Sequence, residues 1–248
     1  HPVDRRQRQM CIRDRTGAWK HKESGCFVGS IEEMWNVDLQ KLQRPDLLEN
    51  KKPRSINMVQ IGKALNDKNL DPPIKHLFVW NSDIANCTPD SSNVRDGLKR
   101  KDLFTVVHDT FWTDSCMYAD VVLPADTQLE HIDLHAPYGH YYFSLTQQAI
   151  KPLGESKSNQ DLFRELAKQM GYKEKCFKES DESMIKNMID PKHNPLFKGV
   201  TYKRLKKNGW VKGDVNNPRR NYLKTGWPTK DKKIQIYSCL LYTSDAAD

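Results

Sequence analysis

Between residues 74 and 124 the chain alternates short apolar runs with polar stretches. His76-Leu77-Phe78-Val79-Trp80 stops at Asn81-Ser82-Asp83, Phe104-Thr105-Val106-Val107 stops at His108-Asp109, and Val121-Val122-Leu123 stops at Pro124. Runs this short, solid rather than alternating, predict strands buried on both faces, as in a parallel sheet. Between the first two runs, Asp90 or Ser91 can cap a helix that places Val94 and Leu98 on one face and Arg95, Lys99 and Arg100 on the other. Residues 113–119 can form a shorter helix between the second run and the third. Strand, helix, strand, helix, strand at this spacing predicts an α/β fold: a Rossmann-like parallel sheet flanked by helices, with irregular N- and C-terminal extensions.

The flanks are less regular. Trp19, Phe27, Val28, Ile31, Met34, Trp35 and Leu39 can pack, but no Gly or Pro punctuation fixes their state. Ser55 can cap a helix with Met58, Ile61 and Leu65 on one face, and Pro72-Pro73 prevents any helix from continuing. Downstream, residues 141–150 alternate well enough for an edge or hairpin strand. Residues 158–172 predict an amphipathic helix capped by Ser158, with Leu162, Phe163, Leu166 and Met170 facing inward and Gly171 ending it. A second helix is expected over residues 180–188.

The two ends read differently. Back-translating CLLYTSDAAD (residues 239–248) and reading the opposite strand in a shifted frame gives RRQRQMCIRD, the sequence of residues 5–14. Ends that are reverse complements of one tag resemble a translated sequencing adapter, so residues 1–15 and 239–248 are set aside as one would set aside a fusion scar. The expected organisation is then an extension from a preceding domain over 16–73, an α/β dinucleotide-cofactor domain over 74–172, and a helical, basic connector over 173–238 toward a further domain. The formal net charge of +8 includes +2 from residues 5–15 and 239–248. Residues 198–233 alone carry twelve Lys or Arg against Asp214 and Asp231. The positive charge is therefore local, and the rest of the chain is slightly acidic.

Candidate chemistry follows from the strand tips. Ligands of open parallel sheets sit beyond the carboxyl ends of the strands, at a switch in strand order, which brings Asn81-Ser82-Asp83 and His108-Asp109-Thr110 to one rim. Asn and Ser can serve a sugar or phosphate, and a carboxylate can accept from ribose hydroxyls or a guanine edge. Neither G-x-G-x-x-G nor a P-loop occurs, which argues against an ordinary NAD or ATP site. Cys26, Cys87, Cys116 and Cys176 lack C-x-x-C spacing, so they write neither a zinc knuckle nor an iron–sulfur cradle; scattered buried thiols are the expectation. Glu130-His131-Ile132-Asp133-Leu134-His135, with His140, is not a zincin motif and reads as polar loop histidines. No apolar run reaches the ~20 residues that span a bilayer.

Beyond these patterns, residues 77–131 resemble the third domain of the dimethyl-sulfoxide-reductase family of molybdopterin oxidoreductases, which includes formate dehydrogenases and S- and N-oxide reductases. The resemblance is carried by a strand followed by T-P-D, a strand ending in an acid, T-D-x-x-x-Y-A-D-V-V-L-P and the following E-H. It continues through YGHYYFSL and SNQDLFRELAKQMGY, and more weakly through TYKRLKKNGWV and PTKDKKIQIYS. It implies an internal fragment of an enzyme that carries molybdenum or tungsten on a bis(molybdopterin guanine dinucleotide), with one nucleotide arm on this domain. Carried residue by residue, Asn81, Ser82, Asp83 and Cys87 match the loop after the first strand, His108 and Asp109 the end of the second, and Asp120 the acid of A-D-V-V-L-P. Many relatives have Asn-Pro where this chain has Asp83-Ile84. No catalytic or metal-ligating residue is implied here. An iron–sulfur cluster and the metal ligand belong to the part upstream, and the partners implied are the missing domains of the same polypeptide and electron-transfer subunits. Two alternatives remain beside this reading. One is a cofactor-less structural homologue in a respiratory complex; the other is nucleic-acid binding through the basic tail, which no recognisable motif supports.

Overall fold

The computed structural model describes residues 34–49, 51–215, 226 and 229–233. Both adapter-like ends lie outside these residues, as do Trp19, Phe27, Val28, Ile31, Tyr222 and Trp227. The chain divides into two compact units, one of residues 38–135 and 145–188, the other of 1–37, 136–144 and 189–248.

The first unit holds the expected sheet. Strands β1 (His76–Trp80), β2 (Phe104–Asp109) and β3 (Val121–Pro124) pair in the order β1-β2-β3, all parallel. The register aligns Trp80 with His108 and His108 with Leu123. The order advances without reversal, so the expected switch point is not among the described strands. One face of the sheet presents Leu77, Val79, Val107 and Val122. Packed against it are α2 (Ile61–Asn66), α3 (Ile84–Cys87) and α4 (Ser91–Leu98), through Leu65, Ala85, Val94 and Leu98. The unit therefore begins well ahead of residue 74, with the short helix α1 (Leu39–Gln43). The reason is visible at α2, where Gly62 and Gly97 let two helices approach until a Cβ on Gly97 would lie 2.5 Å from Leu65 Cβ.

Several caps differ from expectation. Asn57, not Ser55, accepts from the Val59 N–H at the 3-10 turn that leads into α2. Asp90 stands at the N-cap of α4 in the left-handed region (φ 59°) and bonds the Asn93 side chain instead of a backbone N–H. Residues Asp114–Tyr118 form a 3-10 turn, not an α-helix.

On the opposite face, α5 (Asn159–Gln169) lays Phe163 against Phe78 and Trp80, with ring centroids 5.5 and 5.6 Å apart. Ser158 caps it as expected, accepting from the Asp161 N–H at 3.1 Å. The inward stripe is a correction, however. Only Ala167 is buried, while Phe163, Leu166 and Met170 stay 37, 39 and 60% exposed. Helix α6 (Asp181–Met188) follows, with Ile185 buried, and the short strand β4 (Asp133–His135) also belongs to this unit.

The second unit has its own core. Tyr142, Phe143 and Ser144, the part of strand β5 (Tyr142–Thr146) that falls in this unit, pair antiparallel with β6 (Trp210–Lys212), and Phe143 stacks on Phe197 at 4.7 Å. Helix α7 (Tyr202–Asn208) buries Tyr202 and Leu205 and turns Lys203, Arg204, Lys206 and Lys207 to water. Thr201 caps its start, and Gly209, at φ 77°, ends it. The cationic surface is the outer side of an ordinary amphipathic helix.

Candidate functional site

In a parallel sheet every strand delivers its last residues to the same rim, and here three tips meet. The Asn81 N–H donates to the His108 carbonyl at 3.0 Å, and the Ala125 N–H donates to the Asp109 carbonyl at 3.0 Å. Backbone bonds thus hold Asn81, Asp109 and Ala125 side by side. Asn81 turns the chain with φ 50°, a conformation Asn tolerates better than most residues, and both Asn81 and Ser82 are exposed.

The carboxylates behave differently from what their placement suggests. Asp83 turns inward. One oxygen accepts from the Ser115 hydroxyl (2.7 Å) and the Ser115 N–H (3.1 Å), and the other accepts from Asn86 Nδ2 (3.1 Å). Burial pushes its pKa up, but the bonds from Ser115, Asn86 and the Asp114 backbone outweigh that and hold it below the usual carboxylate range. Ser115 is itself buried and accepts from the Ala85 N–H at 3.1 Å. Asp83 is therefore a strut between the β1 tip and the turn after β2. Asp109 spends one oxygen on the Phe111 N–H at 3.1 Å and so sets the loop that follows β2.

His108 is 1% exposed. Its Nδ1 lies 3.1 Å from the Leu123 carbonyl oxygen, which can only accept, so Nδ1 carries the proton. In the neutral imidazole Nε2 is then the acceptor, and it is buried without a partner. Thr105 Oγ1 shares that condition, but at the amino half of β2.

Asp120 is not brought to this rim. It precedes β3, its N–H donates to the Thr105 carbonyl, and its carboxylate accepts from the Thr105 N–H at 2.6 Å. Both bonds lie at the amino ends of the strands. Cys87 is exposed at the end of α3, Cys116 is buried and Cys176 half-buried, so only one of these three fits the expectation of buried thiols.

The third tip carries residues that strand-end reasoning passed over. Thr110 Oγ1 donates to the Asp126 carbonyl at 3.3 Å. Asp126 is buried, and His131 Nδ1 stands 3.0 Å from its Oδ1; burial pushes the Asp126 pKa up, with His131 opposing. Glu130 is buried too and accepts from the Thr127 N–H (2.6 Å) and the Leu153 N–H (2.7 Å). Those backbone bonds, Thr127 first, hold its carboxyl below the usual range. The readable signal was the position of these residues just after β3, which assigns them to the same rim. His135 bonds Thr146 at 2.8 Å, as a structural histidine.

Among the described residues no group of three or more His, Cys, Asp or Glu is placed to hold a metal ion, and no helix is long and apolar enough to cross a membrane. A cavity of about 590 Å³ lies on the α5 side of the sheet, walled by Leu42, Leu47, Leu48, Trp80, Phe163 and Phe177. Its exposed walls are mostly apolar, and Arg44 and Arg164 also line it.

Comparison with known proteins gives a consistent result. The family described as molybdopterin oxidoreductase matches residues 15–169. The chain is 40% identical over 231 residues to a probable oxidoreductase, YoaE, of Bacillus subtilis (strain 168), covering 92% of this chain and 33% of that protein. It is 35% identical over 192 residues to the F420-dependent formate dehydrogenase subunit alpha of Methanocaldococcus jannaschii, covering 75% and 25%. Among solved structures, acetylene hydratase from Pelobacter acetylenicus superposes with a TM-score of 0.56 at 22% identity, over 87% of this chain and 29% of that one, which shows a shared fold. The chain spans about a third of the length of YoaE and a quarter of the formate dehydrogenase subunit.

Proposed function

Since the chain belongs to the molybdopterin oxidoreductase family, we propose that its first unit holds one guanine nucleotide arm of a bis(molybdopterin guanine dinucleotide) at the carboxyl rim of β1, β2 and β3. The observation that carries this reading is the joined rim, where Asn81 and Ser82 stand exposed beside Asp109 and Thr110, tied by the Asn81–His108 backbone bond. The residues present fit such a group. Asn81 and Ser82 offer donors and acceptors to phosphate or ribose, and the unpaired His108 Nε2 is a buried acceptor that a ligand donor would satisfy once the rim adjusts. Cys87 stands exposed one helical turn beyond the same loop. Asp83 and Asp109 act through position, the first by fixing the β1 tip to Ser115 and the second by shaping the loop after β2. Asp120 has its carboxylate committed to Thr105 at the far end and is left out of the contact set.

When bound, the cofactor supplies two-electron redox or oxygen-atom-transfer chemistry at molybdenum or tungsten. This chain's own part is to bind and orient the nucleotide arm. The metal ligand, any iron–sulfur cluster and electron-transfer partners belong, on this reading, to other parts of the assembly. The nucleic-acid reading is not favoured, since the described part of the basic stretch is a surface helix with a buried Tyr202–Leu205 side.

The test is to purify the longer polypeptide that contains this chain and assay metal, pterin fluorescence and GMP released by acid. The expected outcome is all three in fixed ratio. A cooperatively folded polypeptide with none of them overturns the proposal and favours the cofactor-less structural homologue.

A further inference from the structure

The turn after β2 leaves two large rings in water. Phe111 is 77% and Trp112 71% exposed, the only consecutive pair of exposed aromatic side chains among the described residues. Burying a ring of this size is favourable, so an exposed pair on a flexible loop would fold back onto the nearest apolar surface.

This loop is not free to do so. Asp109 accepts from the Phe111 N–H on one side, and Thr110 Oγ1 donates to the Asp126 carbonyl. On the other side the Thr113 carbonyl accepts from the Cys116 N–H at 3.0 Å, and Asp114 accepts from Asn86 Nδ2 at 2.8 Å. The backbone carrying the rings is fastened on one side to Asp126, after β3, and on the other to Asn86 of α3, and the rings themselves are the part left unfastened. They stand on the rim that also exposes Asn81 and Ser82.

Resting on the nucleotide reading above, we infer that Phe111-Trp112 is a stacking platform for the base of the bound nucleotide. A planar base has a π-face that such rings can cover, while the neighbouring Asn and Ser serve its sugar and phosphates. Stacking is tolerant of base identity. The platform therefore contributes affinity, and discrimination of guanine from adenine falls to polar groups elsewhere on the rim.

The test uses the full chain and GDP as probe, with calorimetry, on the wild type, the double variant Phe111→Ala/Trp112→Ala, and Tyr138→Ala as an exposed-aromatic control. The expected result is at least about tenfold weaker GDP binding in the double variant, a similar fractional loss with ADP, unchanged affinity in the control, and unchanged circular dichroism in all. Wild-type binding that survives intact in the double variant overturns the platform and leaves the nucleotide reading standing. No GDP binding by the folded wild type overturns both.

Discussion

Asp83→Ala should lower the stability of the first unit by about 3 kcal/mol, because it strips a buried serine of its charged partner. Ser115 gives both its N–H and its hydroxyl to one Asp83 oxygen, and Asn86 gives its amide to the other. Removing the carboxylate leaves the Ser115 donors in a site with almost no access to water. Asp83→Asn keeps one oxygen for Ser115 and should lose about half as much. The acid dependence has a definite sign. The folded carboxyl sits below its ordinary range, so its contribution is complete above that range and is lost as pH falls through the depressed value. Urea unfolding of wild type and Asp83→Ala should therefore show a gap at neutral pH that narrows in acid. A gap independent of pH would contradict the charged-strut account. Because Asp83 fixes the β1 tip, the variant should also weaken GDP binding even under conditions where it remains folded.

Gly97→Ala should cost about 2 kcal/mol, against the helix propensity of alanine, which favours the change by about 1 kcal/mol. A Cβ at residue 97 would lie 2.5 Å from Leu65 Cβ, an atom fixed to the backbone of α2, so the two helices must separate. Gly62→Ala, whose Cβ would meet Asn93 Cβ and the Val94 nitrogen at 3.0 Å, should cost less. Gly139 has nothing within 4 Å and no left-handed backbone, so Gly139→Ala should be neutral or slightly stabilising. Denaturation midpoints for the three variants check the order. A neutral Gly97→Ala would mean that α2 and α4 do not pack this closely.

The sheet was legible because solid apolar runs of three to five residues, each stopped by polar residues or proline, have few other solutions, and β1, β2 and β3 fall where His76, Phe104 and Val121 begin them. Helix α5 was legible as a helix, with its Ser158 cap, but periodicity does not say what a stripe meets. Phe163 alone reaches rings of the sheet, while Leu166 and Met170 stay in water. At the site, strand ends located Asn81, Ser82, His108 and Asp109 on one rim, since chain direction fixes that much. It could not reveal where a carboxylate points, because the partner of Asp83 is Ser115, thirty-two residues on. Asp120 is the instructive case. The resemblance groups it with the other acids, yet a residue that precedes a parallel strand must lie at the opposite rim from residues that follow one. By the same logic Asp126 and His131, which follow β3, belong with Asp109. The close approach at Gly62 and Gly97 leaves no trace in composition, since it depends on the pairing of two helices that are far apart in sequence.

Photolabelling of the full chain with azido-GDP, followed by peptide mapping, examines the nucleotide site itself. The expected result is label in the peptides that contain Asn81–Ser82 and Thr110–Trp112, and its loss under excess GDP. Label confined to the basic residues 198–233, indifferent to competitor and abolished by salt, would contradict the account.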